Sequence, residues 1–144
     1  MAKATNSIEI RRPADQVYGF LADGLNNPKW RPAVKSISLA SGRGGEVGAI
    51  YKQQIAGPGG RPVSGDYRIV EAVPGKRVRF EVISGPARPV GVFDIQSQGA
   101  GARVTFSLEL QPKGLMRLMN GMIQKTMEAE VANLTRLKTV IEAA

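Results

Sequence analysis

Between residues 34 and 112 the chain alternates apolar and polar positions in short runs, and after Pro112 the period lengthens to three or four residues. Two-residue alternation predicts strands whose side chains point to opposite faces of a sheet. The clearest run lies near 102–110. Val104, Phe106, Leu108 and Leu110 share one face, and Arg103, Thr105, Ser107 and Glu109 share the other. Val78, Phe80 and Val82 are set against Arg77, Arg79 and Glu81 in the same way. Further strands are predicted near 34–40, 46–56, 62–73, 76–84 and 89–97, separated by turns such as Gly42-Arg43-Gly44-Gly45, Pro74-Gly75 and Gly99-Ala100-Gly101. Connections this tight join antiparallel neighbours rather than βαβ crossovers.

Ahead of this meander, Ser7-Ile8-Glu9-Ile10-Arg11 alternates and predicts one more strand. Pro13 is suited to the first turn of a helix, and Val17, Phe20 and Leu21 follow at i, i+3 and i+4. That short helix is expected to end near Asp23-Gly24, and Asn26 to Pro32, with two prolines, to form a turn. The segment from about 114 to 142 reads as one helix, roughly 43 Å long at 1.5 Å per residue. A domain of this size is only about 37 Å across. The helix must therefore cross it, and it carries a stripe of Met116, Met119, Ile123, Met127, Leu134, Leu137 and Ile141 for the sheet's apolar face.

Composition narrows the chemistry. The 144 residues are expected to form one domain, and a chain this long buries roughly two thirds of its unfolded surface without a metal or disulfide. There is no Cys and no His, so Cys-His and Ser-His-Asp nucleophiles are excluded and zinc lacks its usual ligands. Gly57-Pro58-Gly59-Gly60 lacks the Lys-Ser/Thr ending of a phosphate cradle. No cofactor or metal is expected. The N-terminus has no signal-like apolar core and no run approaches a membrane span, so a cytoplasmic location is the default expectation. The net charge of +8 comes from basic residues spread along the chain, which suits solubility more than nucleic-acid binding.

In order and spacing, several motifs taken together resemble the START/Bet v 1-like (SRPBCC) superfamily, most closely its polyketide cyclase/dehydrase-like branch. They are Ile8-Glu9-Ile10 leading to Pro13-Ala14-Asp15-Gln16-Val17-Tyr18, then Pro28-Lys29-Trp30-Arg31-Pro32, then Val70 to Val78, Gly101 to Phe106, and Leu134-Thr135-Arg136-Leu137-Lys138. The resemblance implies an α+β helix-grip fold, a curved antiparallel sheet of about seven strands around a long C-terminal helix. It also implies a cavity between sheet and helix, closed by two short helices. The family ranges over carriers, sensors and cyclases, so fold alone does not fix the chemistry.

A small hydrophobic molecule is the expected partner, a lipid, steroid or aromatic polyketide. The residues expected to line its site are Trp30, Tyr51, Phe80, Phe93, Phe106, Met116, Met119, Ile123 and Met127. Trp30 serves equally as a packing anchor for its turn, and the facing of Tyr51 is open. Glu130 is the anomaly, a carboxylate within the apolar stripe, which is costly to bury unless paired. It would fix a ligand's polar group, act as an acid or base, or sit in water at the stripe's edge. Its partner depends on the register of 62–73. Arg68 faces inward if Val70 does, and Tyr67 becomes the polar handle if Ile69 does. The alternatives to a carrier are a cyclase or dehydratase using Glu130, Arg68 or Tyr67, and an interaction module on the basic face around Arg77, Arg79 and Arg103. A homodimer remains open.

Overall fold

The alternating runs form strands of one antiparallel sheet in the computed structural model, which describes residues 2–144. The strands are β1 (Ala2–Ile10), β2 (Val34–Ser41), β3 (Ile50–Ala56), β4 (Pro62–Ser64), β5 (Tyr67–Val73), β6 (Arg77–Val82), β7 (Val90–Gln98) and β8 (Gly101–Leu110). Their order is β1-β8-β7-β6-β5-β3-β2, with β4 beside β3. β1 begins earlier than its alternation predicts, because Ala2 and Ala4 are small enough to lie buried beneath the C-terminal helix. The run at 62–73 is two strands, divided at Gly65-Asp66.

Helices α1 (Ala14–Ala22) and α2 (Asn27–Trp30) follow β1 and cover one end of the sheet. Val17 and Leu21 form the buried face of α1, as their spacing predicts. The long C-terminal helix is assembled from pieces rather than continuous. A 3-10 segment (Gly114–Met119) leads into α3 (Asn120–Ala132), and Asn133 joins α3 to α4 (Leu134–Ala143). Asn120-Gly121 weakens the start of α3, since both residues are poor helix formers. At the joint, the Asn133 N–H donates to the carbonyl of Glu130 at 3.1 Å. Ile123, Met127 and Val131 of α3 and Leu134, Leu137 and Ile141 of α4 are buried against the sheet.

The end of α4 is tied to the end of β1. The Glu142 carboxylate accepts from Lys138 Nζ at 2.6 Å and from the Arg11 backbone N–H at 2.8 Å. The Lys138 hydrogen bond and then that of Arg11 hold the Glu142 carboxyl below the usual carboxylate range. A pKa lowered on folding contributes stability above the unfolded pKa, and that contribution is lost as pH falls through the folded value. Glu142→Gln is therefore expected to melt below wild type at neutral pH, with the gap closing in acid. Parallel melts across that range check it, and a gap that widens in acid would contradict it.

Candidate functional site

Five neighbouring strands each place one aromatic ring on the inner face. Tyr51 of β3 stacks on Tyr67 of β5 at 5.1 Å between centroids. Tyr67 meets Phe80 of β6 at 5.2 Å, Phe80 meets Phe93 of β7 at 5.8 Å, and Phe93 meets Phe106 of β8 at 4.5 Å. Trp30, at the end of α2, lies edge-on to both Phe93 and Phe106 at 5.9 Å. Two glycines permit this close packing. A Cβ on Gly91, which pairs with Phe80 across the strands, would stand 2.1 Å from the Phe80 ring, and one on Gly24 would stand 2.1 Å from the Tyr67 hydroxyl.

A void lies between these rings and the short helices. Leu21 and Ala22 of α1, Asn27 and Arg31 around α2, and Tyr67, Phe80 and Phe93 of the sheet line it. Its volume is about 10 Å³, room for one water centre. The aromatic side chains themselves fill most of the space between sheet and helices.

Three polar side chains, Asn27, Arg31 and Tyr67, converge on the void. Asn27 Nδ2 donates to the Tyr67 hydroxyl and to Gln53 Oε1, both at 3.1 Å, and Gln53 Nε2 donates to the carbonyl of Gly65 at 3.3 Å. Burial pushes the Tyr67 phenol well above its usual range, against the smaller opposing effects of the Asn27 hydrogen bond and the Arg31 charge. Tyr67 therefore keeps its proton at neutral pH. Arg31 Nε donates to Glu130 Oε2 at 2.8 Å and its Nη2 reaches the same oxygen. The two side chains are only 11% and 14% exposed, and Asn133 Nδ2 donates to the other Glu130 oxygen at 3.4 Å. The joint between α3 and α4 thus helps to seat the pair.

The register of β5 answers the question left open by its sequence. Tyr67 and Ile69 face inward and Arg68 is exposed, opposite Glu81. A bulge between Ile69 and Glu71 then turns Ala72 toward the core. Arg68 is accordingly not the partner of Glu130, and Arg31 takes that place from 99 residues away. Phe80 and Phe93 line the void, while Trp30, Tyr51, Phe106, Ile123 and Met127 are buried in the surrounding core. Tyr51 faces inward, its hydroxyl accepting from the Gly45 N–H at 3.0 Å. Met116 is half-buried against the core, but Met119 is 43% exposed and lines no interior space. The 3-10 winding before α3 turns it outward. On the basic outer face, Arg77 is paired with Asp94 and Glu71, and Arg103 with Glu9. Asn27, Arg31 and Gln53 are the site residues that the sequence did not single out. Only the position of Arg31 beside Trp30 between two prolines hinted at an anchored segment.

Among the described residues no helix is long and apolar enough to cross a membrane. An antiparallel sheet closed over a long C-terminal helix, with a polar set at one end of an apolar interior, defines a helix-grip protein. The chain belongs to the family described as polyketide cyclase/dehydrase and lipid transport, whose model matches residues 1–142. Among solved structures it is similar to TTHA0849 from Thermus thermophilus, with 23% identity and a TM-score of 0.78 over 98% of this chain and 97% of that one. A START superfamily protein from Mycobacterium smegmatis superposes with a TM-score of 0.77 at 12% identity, covering 99% of both chains. Ara h 8.0201 gives 0.76 at 14%, over 99% of this chain and 98% of that one. At these identities the likeness is one of fold. No curated protein matches the chain.

Proposed function

We propose that the protein binds and carries a small, largely hydrophobic molecule in the interior between the sheet and the C-terminal helix, with Arg31, Asn27 and Tyr67 fixing its polar end. The observation that carries this reading is the convergence of those three side chains on one void at the aromatic face. Trp30, packed on Phe93 behind the void, holds a further donor, its Nε1 being buried without a hydrogen-bond acceptor among the described residues, which a ligand would reach only as the helices part. A ligand oxygen reaching that N–H would relieve the cost of leaving it unpaired. A drug-sized ligand needs a few hundred Å³, so binding must part the helices from the rings. At about −0.3 kcal/mol per heavy atom, 20 atoms yield roughly −6 kcal/mol, before the cost of opening.

Turnover in the same interior, as in a cyclase or dehydratase, would need a free base. Glu130 is committed to Arg31, and Tyr67 holds its proton, so holding a molecule is the better-supported role. Thermal shift with fatty acids, steroids and aromatic polyketides at up to about 1 mM tests the proposal, since the cost of opening puts expected affinities at tens of micromolar or weaker. Stabilisation by ligands carrying an acidic or phenolic group, reduced in Arg31→Met, is the expected outcome. No stabilisation by any of the three classes would sink it.

A further inference from the structure

One apolar stripe is left uncovered by the rest of the fold. Leu115, Leu118 and Met119 of the 3-10 segment and Met122 of the first turn of α3 are all exposed apolar side chains. Leu115 is 84% and Leu118 85% exposed. Met116 and Ile123 hold the segment to the core from its other side. From Gln111 to Met127 the only ionisable residues are Lys113, Arg117 and Lys125. All three are exposed, and none is in an ion pair with a described residue.

We infer that this stripe docks the protein on a bilayer containing anionic lipid. Leucine and methionine side chains on a short amphipathic segment enter the headgroup boundary, while flanking cations meet the phosphates. Charge selects this occupant over a second copy of the chain. A two-fold contact would set the cations of each copy against those of the other, with Glu128, beyond Lys125, the first carboxylate after Glu109. It is also favoured over a folded partner. Protein interfaces centre on rigid aromatic anchors, and no Phe, Trp or Tyr follows Phe106 in this chain. The inference stands on the outer surface alone and holds whether or not the interior accepts a ligand.

Co-sedimentation of the full chain with vesicles tests it, using phosphatidylcholine alone and an equal mixture with phosphatidylglycerol. Wild type is expected to bind the mixed vesicles, to leave the neutral ones largely unbound, and to release as salt is added. Leu115→Ser with Leu118→Ser should weaken binding about tenfold or more. Lys113→Gln with Arg117→Gln should weaken it by a similar factor, because each basic residue near an anionic surface is worth roughly fivefold. All four side chains are exposed, so both variants should melt as wild type does. The inference is overturned if wild type ignores the mixed vesicles, or if both variants bind as wild type. It is equally overturned if the leucine pair governs self-association or capture of a protein without affecting vesicle binding.

Discussion

Glu130→Ala is expected to lower stability by about 3–5 kcal/mol, because it strands the Arg31 guanidinium in a largely dehydrated place. For a chain of this length that corresponds to a fall in Tm on the order of 10 °C. Arg31→Met combined with Glu130→Leu should restore most of the loss, since replacing both members of a buried pair by apolar groups is often neutral. The non-additivity across the cycle of wild type, Arg31→Met, Glu130→Leu and the double variant, read from urea unfolding, measures the coupling directly. A loss below about 1 kcal/mol in Glu130→Ala would mean that water screens the pair, as it does for surface bridges. Under the proposed function, the same pair would also bear on ligand recognition. Arg31 faces the void but spends its charge on Glu130, so an incoming anionic group must share or displace that carboxylate. Selectivity and stability would then draw on one interaction.

Phe93→Ala is the second large effect. Its ring touches Phe80, Phe106 and Trp30 and borders the void, so truncation both removes buried surface and enlarges the space. A loss of about 3–5 kcal/mol is expected. Unlike an ordinary core truncation, this one should also create a function. The new space is walled by Phe80, Phe106 and Trp30 on the side away from Asn27, Arg31 and Tyr67, and apolar walls of this kind accept benzene in cavities of roughly 150 Å³. Benzene or indole should raise the Tm of Phe93→Ala well beyond any effect on wild type. If the two proteins respond alike, the interior at Phe93 is not the limiting wall.

Strands were legible in the sequence wherever alternation was strict. Val104 to Leu110 could form only one kind of surface, and its facing in the sheet follows directly. What escaped depended on partners distant in the chain. Nothing local to Pro28-Lys29-Trp30-Arg31-Pro32 names Glu130, and nothing local to Glu130 separates Arg68 from Arg31. The register of β5 was undecidable by parity because the bulge after Ile69 changes which residues face inward partway along. The outward turn of Met119 came from a 3-10 start that a uniform 100° wheel does not represent. The size of the void was equally beyond reach. It depends on how six aromatic rings interdigitate, with Gly91 and Gly24 letting two of them approach the backbone.

The pairing of β1 with β8 also dictates a history for the chain. Ala2 faces Leu110 and Ile10 faces Ala102, so the first of these strands waits for the last. At 5–20 residues per second that wait is roughly 5–20 s on the ribosome. During it β1 has neither its strand neighbour nor the helices that later lie across it. Contacts of such long sequence separation slow folding, because the loop must close before the pairing rewards it. Lys3, Thr5 and Glu9, spaced along the outer side of β1, give the waiting strand a polar edge that discourages premature partners.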